Sequence, residues 1–292
     1  KKIVKYLYEI IPFKKQFFLL LKKIWVPKER IYRHLHFKDS FKIFVNEKRF
    51  FSMIHFGFQI ENELFWGGLA NNSWEKIFLK IWIELCKSST TIIDVGANTG
   101  IYSLLAKTIN PESNVYAFEP VKRVFEKLIA NNKLNHYDII CNESALSNFD
   151  GEATIFDADC EHTYSVTINK NLNDPKEKVI ERKISALKLS TFIESNNISH
   201  IDLIKINVET HEPEVLEGFG IYLQAYQPAM LIEILTEDVA KRVASVLKNI
   251  PYLYFNIDEN KGVRQVEKLT KSDYYNFLIC HKKVAVNLGL IK

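Results

Sequence analysis

Cysteine is scarce, with four in 292 residues (Cys86, Cys141, Cys160, Cys280), widely scattered and without a Cys-x-x-Cys pair. That argues against a disulfide framework and makes a reducing, cytoplasmic setting the expectation. Long apolar runs are missing too: none reaches the roughly 18 residues a bilayer-crossing helix needs. No signal-peptide cleavage pattern stands at the start, and because residue 1 is Lys rather than Met, a preceding segment is expected. Internal repeats and low-complexity tracts are absent, which argues against repeat architectures.

What remains is an ordinary globular composition, 47% apolar and 25% charged, with length for one large domain or one domain plus an extension. The net charge of +4 hides an asymmetry. Residues 1–50 hold 14 Lys+Arg and 4 Asp+Glu, and the rest holds 25 and 31. Such a basic extension suits an acidic partner (a membrane surface, a nucleotide-linked substrate or another subunit) or is a solvated helical face.

Residues 1–25 place apolar side chains at helical spacing, Val4, Leu7, Tyr8 and Ile11 on one face, then Phe17, Leu20, Leu21 and Ile24. Pro12 interrupts them, predicting two short helices that pack on their own domain, on a twin subunit or on a membrane interface. Phe41–Val45 and Arg49–Ile54 read as a hairpin around Asn46-Glu47-Lys48. Residues 73–87 form an amphipathic helix with Ser73 as its expected N-cap. An N-terminal helical and β extension is therefore assigned to 1–88 and the main domain to 89–292.

From residue 91 strands and helices alternate. Strands are expected near 91–95, 114–118, 137–141, 152–156, 201–207, 229–234, 252–257 and 276–281. Helices are expected near 100–109, 120–134, 187–196, 213–225 and 236–249. The pattern predicts an α/β fold, a doubly wound, mostly parallel sheet with helices on both faces. Residues 157–184 are polar, with a charged run from Asp174 to Lys183, and read as a solvated hairpin or a loop near the substrate.

Thr91-Ile92-Ile93-Asp94-Val95-Gly96-Ala97-Asn98-Thr99-Gly100 is the centre of this pattern. A β-branched strand ends in an acid, a two-glycine loop follows, and an apolar helix begins, as in a nucleotide-binding turn. Glycines let backbone approach a ligand, and the helix start presents unpaired N–H groups to an anion. The dinucleotide fingerprint's middle glycine is replaced by Asn98, which weighs against a nicotinamide enzyme. The Asp94-x-Gly96-x-x-x-Gly100 pattern resembles motif I of S-adenosylmethionine (SAM) methyltransferases, with Asp94, Gly96, Ala97, Asn98, Thr99 and Gly100 as cofactor residues.

Glu119 ends the next strand 25 residues after Asp94, where an acid can accept hydrogen bonds from both ribose hydroxyls. Glu143, Ser144 and Ala145 follow the third strand, where the adenine would be flanked. The strand at 201–207 carries Lys205, Asn207 and Glu209 on one face by the period of two. They point toward cofactor or substrate: Asn207 is assigned to the cofactor, Lys205 and Glu209 to catalysis. The alternative is a salt-linked network of Lys205 with a nearby carboxylate.

Asp94–Gly100, Phe118-Glu119-Pro120, Asp202–Glu209 and Glu212-Pro213-Glu214-Val215-Leu216-Glu217-Gly218 together resemble the FkbM-type SAM-dependent methyltransferase family over roughly residues 90–235. The resemblance implies a Rossmann-like class I methyltransferase fold and methyl transfer to an oxygen, commonly of a sugar, polysaccharide or polyketide in a bacterial setting. The family usually reads Asp-Val-Glu-Gly-Ala-Glu where this chain reads Asn207-Val208-Glu209-Thr210-His211-Glu212.

A sugar hydroxyl is a weak nucleophile that a base helps. Glu209 and His211 are the candidates, and Glu233 is a further carboxylate at the crevice edge. Tyr164 and Ser165 are placed on a loop over the substrate. No metal site is expected. The main domain is net acidic and lacks an Asn-Pro-Pro-aromatic motif, so a nucleic-acid acceptor is not expected. The competing class is a SAM-binding, non-catalytic assembly or membrane module acting through the basic extension. The extension could equally serve peripheral membrane contact or homo-oligomerisation.

Overall fold

The computed structural model describes residues 11–69, 75–158 and 179–292. The chain divides into two units, Lys1–Lys76 and Ile77–Lys292.

The first unit holds α1 (Lys14–Ile24), α2 (Glu29–Tyr32), β1 (Ser40–Phe44), β2 (Phe50–Ile54) and α3 (Gln59–Gly67). The expected hairpin is present: β1 and β2 pair antiparallel, and the register Phe41↔Met53 and Ile43↔Phe51 puts four large apolar residues on one buried face. Phe37, Phe65 and Trp66 pack around Phe18, with the Phe37 and Phe65 rings 4.8 Å apart. Glu61 closes the start of α3 by accepting from Gly57 N and Phe58 N at 2.9 and 3.0 Å. Of the two helices predicted in residues 1–25 only α1 is described; the first lies outside the described residues. In α1 Phe18, not the predicted stripe, is the buried residue.

The second unit runs α4 (Lys76–Cys86), β3 (Thr91–Val95), α5 (Ile101–Ile109), β4 (Asn114–Phe118), α6 (Lys122–Leu134), β5 (Ile140–Asn142), β6 (Ala145–Ser147), β7 (Gly151–Ala158), β8 (Val179–Lys188), α7 (Leu189–Ser195), β9 (Leu203–Ile206), α8 (Glu212–Phe219), α9 (Ile221–Tyr226), β10 (Ala229–Glu233), α10 (Glu237–Leu247), β11 (Leu253–Asp258), β12 (Gly262–Val266), β13 (Asn276–Cys280) and α11 (Lys282–Asn287). The division falls at Lys76/Ile77 rather than at 88/89, because α4 buries itself in this unit. Trp82 donates to Tyr102 O on α5 at 3.0 Å, and Phe78 stacks edge-on against the Tyr102 ring. Glu259 accepts from Ile77 N and Phe78 N, capping α4 from the β11–β12 turn. Ser73, the expected cap, lies outside the described residues.

The main sheet has the order β12-β11-β13-β10-β9-β3-β4-β5. β5, β4, β3, β9 and β10 are parallel; β13, β11 and β12 add antiparallel pairings. From β3 the chain winds outward through β4 to β5, then returns to β9 on the other side. That reversal makes a topological switch between β3 and β9, and ligands bind at the carboxyl ends of the strands there. Asp202 pins the opposite end, accepting from Thr90 N and Thr91 N at 2.9 Å.

One face of the sheet is sealed by α7 to α10, whose Phe192, Leu216, Phe219 and Val243 bury against Ile93, Val95, Ile204 and Ile232. Single large residues in such a core are worth about 2–5 kcal/mol each against truncation to Ala. A separate sheet, β6-β8-β7, holds the arms of the polar hairpin. The predicted helix 213–225 is two helices, broken at Gly220 with φ 61°.

Candidate active site

The loop after β3 forms because its glycines permit it. Gly96 has φ 73°, and a Cβ there would stand 2.0 Å from Asn207 O; Gly100 has φ 96°, and a Cβ there would meet Leu128 at 2.6 Å. Gly96 N and Ala97 N both donate to Phe118 O, at 3.0 and 2.9 Å, tying the loop to the end of β4. Asn98 also takes a positive φ of 52°, a conformation Asn tolerates. Its side chain accepts from Thr99 N at 2.8 Å, and Asn131 on α6 holds Thr99 O at 2.9 Å.

Beneath the loop lies a buried ion pair. Asp94 and Lys205 are opposite one another in the β3–β9 register, both buried, with Lys205 Nζ 3.2 Å from Asp94 Oδ1. The approach is off-axis, an ion contact rather than an aligned hydrogen bond. Asp94 Oδ2 accepts from Ser103 Oγ at 2.6 Å. Lys205 Nζ donates to Gly96 O at 3.0 Å and lies 5.0 Å from the centre of the Tyr102 ring. Lys205, expected in catalysis, is therefore a strut of the cofactor loop in this geometry. The salt-linked network is the arrangement found, and Asp94 organises the loop through it.

Glu119 faces the loop from β4's end. Oε2 accepts from Asn98 N at 3.0 Å and Oε1 from Val121 N at 2.9 Å. Burial pushes its pKa up to about 7 against the pull of those two N–H groups. A carboxylate has about four acceptor positions, so both oxygens retain capacity for the ribose hydroxyls. Thr99 Oγ1 is buried with no hydrogen-bond partner among the described residues. Both features fit an adenosyl ligand over this loop. Glu119 N donates to Asn142 O at 3.1 Å. Beyond it Glu143 is exposed, Ser144 is buried, and Ala145 starts β6, packing with Val121, Val124, Ile155 and Ile184. Ala145 is thus committed to a small core, leaving Glu143 and Ser144 as the polar candidates at the adenine end.

The edge after β9 is built differently. Asn207 N donates to Val95 O at 3.2 Å, and its side chain is half-buried. Glu209 and Thr210 both take left-handed backbone, φ 53° and 77°. For a β-branched residue that is an outlier, and such strain costs about 1–3 kcal/mol. Glu212 is fully buried, its Oε1 accepting from Val208 N at 3.1 Å while Oε2 has no hydrogen-bond partner among the described residues. Burial, reinforced by the charge of Glu233, raises its pKa to about 8. Glu233, half-buried at the end of β10, is pushed to about 7 by burial and then by Glu209, with Lys205 pulling it down.

His211 does not join them. Its Nε2 is 3.0 Å from Ser147 Oγ on β6 and its Nδ1 3.5 Å from Glu214, which Arg242 on α10 holds at 2.7 Å. Burial lowers its pKa. Nε2 thus ties the start of α8 to β6, while Nδ1 lies beside Glu214 of α8 itself at ion-contact distance. Tyr164 and Ser165 lie outside the described residues. Ser103 and Glu212 were missed as site residues. Ser103 shows only as a polar residue two past the helix start, and Glu212 only as part of the family pattern.

A parallel sheet reversing at β3, a glycine loop braced by a buried pair and a ribose-facing acid on the next strand define a class I SAM-dependent methyltransferase fold with SAM as its cofactor. A family model, the methyltransferase FkbM domain, matches residues 94–255, more than half of the chain, and the chain belongs to that family. It is 23% identical to hexuronic acid methyltransferase AglP of Haloferax volcanii, over 64% of this chain and 74% of that one. It is 29% identical to 31-O-demethyl-FK506 methyltransferase FkbM of Streptomyces tacrolimicus, over 49% of this chain and 64% of that one. The chain thus spans about two thirds of the length of these relatives. A solved methyltransferase FkbM from Methylobacillus flagellatus aligns with a TM-score of 0.41 at 14% identity, over 66% of this chain and 44% of that one.

Proposed function

We propose that this chain transfers a methyl group to a hydroxyl oxygen of a sugar or glycan, with Glu233 as the group that receives the hydroxyl proton. The observation carrying the proposal is the carboxylate at the end of β10, lifted to about 7 by burial and by Glu209. A base poised near the working pH is the most effective one. Bound SAM supplies the methyl group, made electrophilic by its sulfonium. Asp94, Lys205 and Glu119 hold the loop and ribose on one side, and Asn207, Glu209 and Glu233 face the acceptor on the other. Orientation of the acceptor oxygen supplies much of the rate, and Glu233 moves the proton. The name of one relative, a hexuronic acid methyltransferase, supports a sugar acceptor, and that of another, a 31-O-demethyl-FK506 methyltransferase, supports oxygen as the methylated atom.

The test is Glu233→Gln, assayed with SAM against a panel of hexuronates, neutral sugars and glycans by mass spectrometry. With the wild type the acceptor should gain one methyl group on oxygen, with kcat rising as pH passes about 7 while Glu233 loses its proton. The variant should lose about 100-fold or more in kcat at unchanged SAM affinity. Undiminished turnover would clear Glu233, and methylation of an amine in place of a hydroxyl would sink the reaction class. Tight SAM binding without turnover on any acceptor would instead favour a non-catalytic module, a reading that rests on Asn207 standing where the family usually has Asp.

A further inference from the structure

The first unit turns outward the kind of helix face that a soluble domain ordinarily turns in. Phe13, at the N-cap of α1, and Phe17, Leu20 and Ile24 within it follow spacings of four, three and four, so they line one side. They are 75%, 61%, 62% and 88% exposed, while Phe18 on the opposite side is 4% exposed and packs with Phe37 and Trp66. Trp25 and Val26 extend the patch beyond the helix, each 49% exposed.

The segment that carries this stripe is basic. Residues 11–50 hold eleven Lys+Arg against three Asp+Glu. Lys15 pairs with Asp39 at 2.9 Å and Lys22 donates to Phe65 O, so these two are engaged within the unit. Lys23, Lys28, Arg30 and Arg33 are exposed. α1 has 11 residues, about 16 Å of helix, and no described helix is long and apolar enough to cross a membrane.

We propose that α1, with Trp25 and Val26, lies in the plane of an anionic lipid surface, its aromatic and aliphatic stripe in the headgroup boundary and its cations against lipid phosphates. The charge selects this occupant over a second copy of the chain. Self-association would bring two strongly basic segments face to face, whereas an anionic bilayer satisfies stripe and charge together. The inference is independent of the acceptor, because its residues all belong to the first unit.

The experiment is co-sedimentation of the full chain with phosphatidylcholine vesicles and with vesicles mixed with phosphatidylglycerol, alongside sedimentation velocity without lipid. The wild type should bind the anionic vesicles and be released by added salt. A Phe17→Asp/Leu20→Asp variant should bind roughly tenfold more weakly at unchanged melting temperature and SAM affinity. Lys23→Glu/Lys28→Glu, altering exposed side chains only, should lose the preference for anionic lipid. Equal retention on both vesicle types, wild-type binding by the Phe17/Leu20 variant, or a wild-type dimer that this variant dissociates without any vesicle binding would overturn the proposal.

Discussion

The carboxyl ends of β3 and β4 and those of β9 and β10 meet in one sheet, yet their acids keep different partners. Asp94 has a lysine at 3.2 Å and a serine at 2.6 Å, and Glu119 has two backbone N–H groups. Glu212 has Val208 N on one oxygen and no hydrogen-bond partner among the described residues on the other, and Glu233 is raised by burial and then by its neighbour Glu209. One side uses charge to brace a backbone loop. The other buries Glu212 and Glu233 and adds the repulsion of neighbouring carboxylates to the burial that also raises Glu119. A cofactor common to a whole fold class needs a rigid cradle, whereas proton transfer needs groups that titrate where the enzyme works.

Asp94→Ala attacks the braced side and should have the largest effect. It leaves Lys205, 4% exposed, with carbonyl contacts and the Tyr102 ring but no counter-charge at 3.2 Å. Breaking a buried pair by removing one partner costs about 3–5 kcal/mol, and SAM affinity should fall tenfold or more, on the order of 1.4 kcal/mol. Urea unfolding and calorimetric titration measure the two. Stability and affinity both near wild type would mean the pair braces nothing.

Glu212→Gln probes the crowded side through pH. Burial raises the folded pKa to about 8 from the usual 4.5, so the native state keeps a proton that the unfolded chain has lost. The associated stability is full below about pH 4.5 and drains away as pH climbs toward 8, the direction also expected for Glu119 and Glu233. Gln keeps the acceptor for Val208 N and cannot ionise. The melting temperature of the wild type should fall between pH 5 and pH 8, and the variant should fall less. Its advantage at pH 8 is on the order of 4 kcal/mol, against about 1 kcal/mol at pH 5. Parallel curves would show that Glu212 titrates normally.

The same contrast decides what could be read in advance. Asp94, Gly96, Gly100 and Glu119 were legible because a strand, a turn and a helix start are local chemistry, and β3 and α5 fall within a residue of expectation. Lys205 was legible as a polar residue out of place, but its partner depends on the β3–β9 register, across more than a hundred residues. His211 was legible as a titratable residue past β9, but its partner Ser147 lies on β6 in a separate sheet, 64 residues away. The expected boundary at 88/89 and the division at Lys76/Ile77 differ for the same reason: α4 is capped by Glu259, far along the chain. In α1 the periodicity was visible, but a stripe's spacing does not say whether it faces the core or the solvent.

The smallest expected effect sharpens the comparison most. Thr210 sits at φ 77° directly after Glu209 at φ 53°, at a position where the family pattern has glycine. Thr210→Gly removes the Cβ that makes this backbone costly, a strain of about 1–3 kcal/mol, and gives back up to about 1 kcal/mol in unfolded-chain entropy. The net expectation is a gain of about 1 kcal/mol, read as a higher urea midpoint with unchanged slope, and unchanged SAM affinity because the β3 loop is untouched. The informative readout is the transfer rate. If the strain fixes where Glu209 stands beside Glu233, relaxing it should slow transfer and move the rising limb of the pH profile below 7, since Glu209 would raise Glu233 less. A variant that gains stability and keeps both rate and profile would mean the strained turn only connects β9 to α8. A variant that loses stability would mean Thr210 packs well enough to repay its backbone, and the contrast between braced and strained edges would fall on the carboxylates alone.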